Sequence, residues 1–151
     1  MEKWYSYAMR RIILAVSLVT MTGCAGSYKA SYVTGAVTKQ FATESYEAYS
    51  EILNQRIEEC DPENNSEIKT KSDFDDCLGP GFKDEDHDKI EDLVKGYYAA
   101  AKVHTDVMIV VDATDEQRKE ATQNLVNSAI DFLEILPNGD KLATKLRTLI
   151  K

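Results

Sequence analysis

Apolar residues between positions 36 and 150 recur at steps of three and four, which is the spacing of amphipathic helices packed on a shared core. A first helix is predicted over 36–60. Its apolar positions are Val37, Phe41, Ala48, Tyr49, Ile52, Leu53, Ile57 and Cys60. Pro62 ends this helix, because proline lacks an N–H donor and its ring clashes with the preceding turn.

A second helix is predicted to begin near Asp84 or Asp86, whose carboxylates suit the positive N-terminal end of a helix. Its apolar stripe contains Ile90, Leu93, Val94, Tyr97, Ala101, His104, Val107, Met108 and Val111. The β-branched residues within 107–111 also suit a strand. We favour a helix, because the sequence offers no second strand to pair with this one.

Two further helices are predicted in the C-terminal third of the chain. The sequence Thr114-Asp115-Glu116-Gln117 has the form of a capping box, which opens a helix that ends before Pro137-Asn138-Gly139. The apolar face of this third helix comprises Leu125, Val126, Ala129, Ile130, Leu133 and Leu136, and that of the fourth comprises Leu142, Leu146, Leu149 and Ile150. Residues 36–151 are therefore expected to form an all-α domain, a small antiparallel bundle of three to four helices.

The segment 61–84 contains the residues that interrupt helices, namely Pro62, Asn64, Asn65, Gly79, Pro80 and Gly81. A disulfide between Cys60 and Cys77 would close a loop of 18 residues there. The alternative is a pair of unpaired thiols. A zinc site needs more ligands than His87 adds to these cysteines, and a redox pair would favour Cys-x-x-Cys spacing.

The N-terminus has the pattern of an export signal. Arg10 and Arg11 precede an apolar stretch over 12–22, which is too short to span a bilayer, and the sequence Met21-Thr22-Gly23-Cys24 follows. This ending resembles the lipobox of bacterial lipoproteins, although Met21 stands where that family usually has leucine. The resemblance implies that residues 1–23 are a signal peptide and that Cys24 receives a diacylglyceryl thioether and N-acylation, typically by palmitate.

The same resemblance predicts where the protein resides. Ala25 follows the cysteine in place of the aspartate that retains enterobacterial lipoproteins in the inner membrane. In a Gram-negative host, the resemblance therefore favours the outer membrane, facing the periplasm, with residues 24–35 as the lipidated cysteine and its tether. The alternative is a secreted protein whose signal happens to end near a cysteine.

Charge is distributed unevenly along the chain. The net charge of −8 argues against nucleic-acid binding, which needs a basic face. Between Glu58 and Asp92 there are 14 acidic and four basic residues, a net charge of −10. Within this segment we define the acidic surface as Asp73, Asp75, Asp76, Asp84, Glu85, Asp86 and Asp88. It is interpreted either as a solvated surface, as a docking site for a basic envelope protein, or as a divalent-cation site.

The cation interpretation depends on Asp84-x-Asp86-x-Asp88, which matches the first half of an EF-hand loop. The second half does not match, because Lys89 replaces the turn glycine and Lys95 stands where the bidentate glutamate belongs. No metal ligand is therefore assigned, and no cofactor is expected.

Catalysis is not expected from this sequence. His87 is predicted to be exposed among carboxylates, and His104 to be a hydrogen-bonded core residue on the second helix. Neither Gly-x-Ser-x-Gly nor His-Glu-x-x-His occurs in the chain. The expected function is a membrane-anchored binding or scaffold module of the cell envelope. The alternatives are an immunity or superinfection/entry-exclusion lipoprotein and a divalent-cation-responsive module.

Overall fold

The computed structural model describes residues 27–151, which form five helices. They are α1 (Ser27–Cys60), α2 (Lys71–Leu78), α3 (Asp84–Ile109), α4 (Asp115–Ile135) and α5 (Gly139–Leu149). No strand occurs within this part of the chain, so the all-α bundle is confirmed and the segment 107–109 is helical. The predicted signal peptide and the lipidation site Cys24 lie outside the described residues.

Helix α4 occupies the centre of the bundle and packs against α1, α3 and α5. Its capping box is confirmed, because Thr114 accepts from Gln117 N and the Gln117 side chain accepts from Thr114 N. The buried residues include those predicted at Leu125, Ala129 and Leu133. They also include Phe132, which has no exposed surface and was absent from the predicted apolar face. A helix that touches three others buries a wider arc than one apolar stripe.

Helix α1 begins at Ser27 and not near residue 36 as predicted, so residues 27–35 of the predicted tether are helical. These residues pack beside the C-terminal part of α3. Ser31 is buried, and its carbonyl oxygen lies 3.3 Å from Nε2 of His104. Gly35 allows this close approach, since a Cβ there would lie 2.1 Å from Cε1 of His104. Small and hydroxylated contact residues give no apolar stripe, which is why the sequence pattern missed this part of the helix.

Four apolar positions predicted on the helical stripes are exposed in the structure, namely Ala48, Ile52, Ile57 and Val111. Ile52 and Ile57 are 46% and 41% exposed. The buried face of α1 contains Thr38, Phe41 and Tyr49, and it is rotated around the helix axis relative to the predicted apolar stripe. Val111 is 91% exposed, because α3 ends at Ile109 and the chain turns toward α4 before the stripe is complete.

The turn between α4 and α5 requires two special residues. Asn138 adopts the left-handed conformation with φ of 63°, which asparagine tolerates better than most residues. Gly139 follows at a point where a Cβ would lie 2.2 Å from the carbonyl oxygen of Leu133. The backbone of α5 therefore starts directly against the last turn of α4, and the predicted end of the third helix before Pro137 is confirmed.

Substitution of Gly35 tests the α1–α3 contact. Gly35→Ala is expected to lower the free energy of unfolding by about 1–3 kcal/mol, because the new methyl group overlaps the buried His104 ring. Gly96→Ala on α3 is the matched control, since its Cβ meets nothing within 4 Å. The control should gain about 0.5–1 kcal/mol from helix propensity. Urea unfolding measures both, and equal effects of the two substitutions would contradict the described contact.

Candidate functional site

The acidic surface lies at the end of the bundle where α1 terminates and α3 begins. Asp73, Asp75 and Asp76 belong to α2, and Asp84, Glu85, Asp86 and Asp88 belong to the first turns of α3. The structure therefore brings the seven predicted residues onto two consecutive helices. What each carboxylate can offer to a partner depends on the contacts it already makes within the chain.

The segment that carries the acidic surface is attached to the bundle by a disulfide and an arginine. Cys60 and Cys77 are bonded, with their Cα atoms 5.8 Å apart, which confirms the predicted pairing. Nη1 of Arg56 donates to the carbonyl oxygen of Leu78 at 2.8 Å, and its Cζ lies 4.8 Å from the Phe82 ring centroid. Leu78 and Phe82 are both buried in the core. The acidic segment is thus part of the packed domain.

Asp73 has a structural role at the start of α2. Its Oδ2 accepts hydrogen bonds from the backbone N–H groups of Lys69 at 3.1 Å and Thr70 at 2.9 Å, and Thr70 Oγ1 accepts from Asp73 N. The backbone hydrogen bond from Lys69, with the contacts to Thr70, lowers the pKa of this carboxyl. The carboxylate of Asp73 is therefore stabilised in its ionised form and already accepts hydrogen bonds within the chain.

Two other carboxylates of the acidic surface form ion pairs between α2 and the start of α3. Lys71 Nζ lies 2.8 Å from Asp84 Oδ2, and Lys83 Nζ lies 3.4 Å from Asp76 Oδ1. The hydrogen bond from Lys71 and its charge lower the pKa of Asp84. Because both carboxylates are largely exposed, salt screens both pairs, and a partner's cation can compete for the same carboxylates.

Asp86 supports the turn that precedes α3. Its Oδ2 accepts a hydrogen bond from the backbone N–H of Gly81 at 3.1 Å, where Gly81 has a φ of 84°. The buried Tyr49 stacks on Phe82 beneath this turn, with the ring centroids 5.5 Å apart. Burial and the Asp86 charge raise the pKa of Tyr49 to about 12. Asp86 therefore already accepts a backbone hydrogen bond within the chain.

Glu85 and Asp88 differ from these four residues. Both are exposed on α3, and neither side chain makes a hydrogen bond or ion pair with any other described residue. Asp75 is intermediate, since it is half-buried and one of its carboxylate oxygens, Oδ1, is buried without a hydrogen-bond partner. The structure thus separates carboxylates that stabilise the fold from those available to a partner, which the sequence pattern does not distinguish.

A shallow, open groove of about 370 Å³ lies beside α2. Pro62, Ile68 and Phe74 form its apolar part, and Lys69, Thr70, Lys71 and Asp84 form its polar part. The groove is not enclosed enough to shield a reacting group from water. A lining that mixes apolar and charged residues is found at many protein-binding surfaces.

The two histidines lie in different environments. His104 is 2% exposed, and a ring protonated on Nε2 donates to the Ser31 carbonyl oxygen, which confirms its prediction as a core residue. Burial lowers its pKa, against the opposing effect of the hydrogen bond to Ser31. His87 is half-buried and its Nε2 lies 3.6 Å from Glu91 Oε1 on the next turn, so it is less exposed than predicted.

The described part of the chain contains no group of three or more His, Cys, Asp or Glu side chains positioned to hold a metal ion. Asp84, Asp86 and Asp88 lie within the first five residues of helix α3, where residues two apart do not share a face. The loop conformation of an EF-hand is therefore not formed. Among residues 27–151, no helix is both long enough and apolar enough to cross a bilayer.

Comparisons with family models, curated proteins and solved structures find no match to this chain.

Removal of the disulfide is expected to destabilise the domain and release the acidic segment. Cys60→Ser with Cys77→Ser should lower the free energy of unfolding by about 3 kcal/mol, because the unfolded chain regains the entropy of an 18-residue loop. Urea unfolding measures this loss, and brief trypsin digestion should cut at Lys69 and Lys71 sooner than in the oxidised wild type. An unchanged urea midpoint would contradict the expected stabilisation.

His104 is expected to make stability depend on pH. Its folded pKa lies below its usual value of 6.5, so the unfolded chain binds a proton first as the pH falls. The free energy of unfolding should therefore decrease between about pH 7.5 and 5.5 more steeply in wild type than in His104→Gln. Urea unfolding at each pH measures the two slopes. Parallel profiles for wild type and His104→Gln would refute this assignment.

Proposed function

We propose that the protein is a lipid-anchored periplasmic module of the cell envelope that binds a basic partner protein through its acidic surface. The observation that carries this proposal is the presence of exposed carboxylates without partners, at Glu85 and Asp88, on a segment attached to the core by a disulfide. Cys24, within the lipobox-like sequence, supplies the anchor. The proposed role is binding and scaffolding, without catalysis.

Rigidity supports a docking role for this surface. Because Cys60–Cys77 and Arg56 hold α2 against the end of α1, little conformational entropy remains to be lost when a partner binds. The local charge of −10 between Glu58 and Asp92 attracts a cationic protein over a distance comparable to the Debye length. The groove beside Phe74 offers apolar surface for closer contact. Charge thus accelerates encounter, and the groove contributes to complex lifetime.

The lipid anchor would limit the search for this partner to the membrane surface. A diacylglyceryl group plus an amide-linked acyl chain buries many methylene groups, at roughly 0.8 kcal/mol each, so the anchor is held stably. Restricting both molecules to one compartment raises their effective concentration, which favours a weak and mainly electrostatic contact. A module of this kind suits an accessory subunit of an envelope assembly.

The test is crosslinking and capture of the full chain from intact Gram-negative cells, with mass spectrometry of Cys24. Wild type should carry the lipid and capture an envelope protein, and Cys24→Ser should lose the lipid and leave the membrane fraction. Glu85→Gln with Asp88→Asn should weaken binding of the captured partner about five- to thirtyfold at low salt.

The matched control for this charge change is Glu120→Gln with Asp131→Asn, which removes the same two charges from exposed positions on α4. It should bind like wild type. Equal weakening by both double variants would show that total charge, and not the acidic surface, governs capture. Failure of wild type to capture any protein above the level of the Glu85/Asp88 variant would refute the docking role.

A further inference from the structure

The C-terminal end of α3 exposes three consecutive aliphatic side chains. Ile109, Val110 and Val111 are 74%, 50% and 91% exposed, and they project where α3 ends and the chain turns toward α4. Single exposed apolar residues are common, but a run of three at the tip of a helical hairpin is a local apolar patch. Neither the core nor the acidic surface makes use of these side chains.

The N-terminal turns of α1 lie at this same end of the bundle. Nη2 of Arg118 donates to the Val110 carbonyl oxygen at 3.1 Å, and Cζ of the same residue lies 5.0 Å from the Tyr28 ring centroid. Tyr28 and Tyr32 stack with centroids 6.4 Å apart and are 46% and 55% exposed. One arginine therefore joins the aliphatic tip to a pair of exposed tyrosines.

We propose that this apolar end, formed by Tyr28, Tyr32, Ile109, Val110 and Val111, inserts into the surface of a lipid bilayer. The inference rests on the proposed lipidation of Cys24. Cys24 precedes the start of α1 at Ser27 by three residues, which span at most about 11 Å when extended. Acyl chains on Cys24 would hold the apolar end, and no other end of the bundle, within contact of the membrane.

The side chains of the apolar end match the two layers of a bilayer surface, the acyl-chain boundary and the headgroup layer. Aliphatic tips enter the boundary of the acyl chains, and tyrosines favour the headgroup layer, where the ring is buried and the hydroxyl stays hydrated. Arg118 bridges toward Asp115, with Nη1 3.7 Å from Oδ1, so its charge is partly compensated beside the tip. Asp112 and Asp115 are also exposed beside the tip, and this orientation requires their carboxylates to stay in the hydrated headgroup layer.

The opposite end of α3 fits the same orientation. Its first turn carries Asp84, Glu85 and Asp86, and the 26 residues of the helix separate this turn from the apolar end by about 39 Å. Anionic lipids repel the acidic surface, with its seven carboxylates, more strongly than they repel the apolar end. Contact at the apolar end would therefore point the acidic surface away from the bilayer, where a partner can reach it.

The test uses the full chain, lipidated at Cys24, purified from membranes and reconstituted in phosphatidylethanolamine–phosphatidylglycerol vesicles. Single cysteines replace Val111, Val103 and Ser72, which are all exposed, and carry an environment-sensitive fluorophore. Vesicles contain a nitroxide on the lipid acyl chain as the quencher. Val103 lies on α3 about 12 Å from Val111, on the side toward the acidic surface. Ser72 lies on α2 near the acidic surface.

Quenching is expected to be strongest for the probe at 111, weaker at 103 and absent at 72, with a blue-shifted emission only at 111. Lipidated protein in which the probe at 111 is quenched no more than the probe at 72 would overturn the inference and leave the proposed anchoring intact. Protein whose Cys24 carries no lipid, by intact mass, would overturn both. If the labelled protein shows no quenching and the unlabelled Val111→Cys protein forms disulfide-linked dimers, this end would be assigned to self-association and membrane contact would be overturned.

Discussion

The Phe132 side chain contacts two other helices at once and has no exposed surface. Its ring meets Tyr46 of α1 edge-on at 5.9 Å and Tyr97 of α3 at 6.1 Å between centroids. Close-packed interiors leave little freedom for helices to slide or rotate, so this aromatic cluster determines the register of α1 against α3. The antiparallel register then places the start of α1 beside the end of α3, and the end of α1 beside the acidic surface.

The two ends of the bundle differ because the packed centre separates them. One end has exposed aliphatic and tyrosine side chains, and the other carries most of the negative charge. Cys60–Cys77 and the contact of Arg56 with Leu78 keep the acidic end attached, although its carboxylates repel one another. The proposed anchoring and docking therefore both depend on a core that takes part in neither directly.

The acidic surface also shows why counting charges does not define a binding site. Asp73 and Asp86 serve the backbone at a helix start and a tight turn, and Asp84 and Asp76 pair with lysines. The side chains of Glu85 and Asp88 are exposed and make no such contact within the described residues. These roles depend on which backbone N–H or ammonium group the fold brings within about 3 Å, and residues in the same acidic run therefore differ in availability.

The sequence alone determined the features that depend on local chemistry. Residue periodicity predicted the four longer helices, Thr114 and Gln117 predicted a capping box, and the two cysteines bracketing the loop predicted the disulfide. Only the tertiary structure decided the features that depend on neighbouring helices. The N-terminal part of α1 is packed because His104 contacts it at Ser31 and Gly35. Phe132 is fully buried because α4 contacts three other helices. Val111 is exposed because α3 ends at Ile109. The physical reason is that the spacing of apolar residues indicates which side of a helix is buried in general. The burial of each residue also depends on which neighbouring helices pack against it.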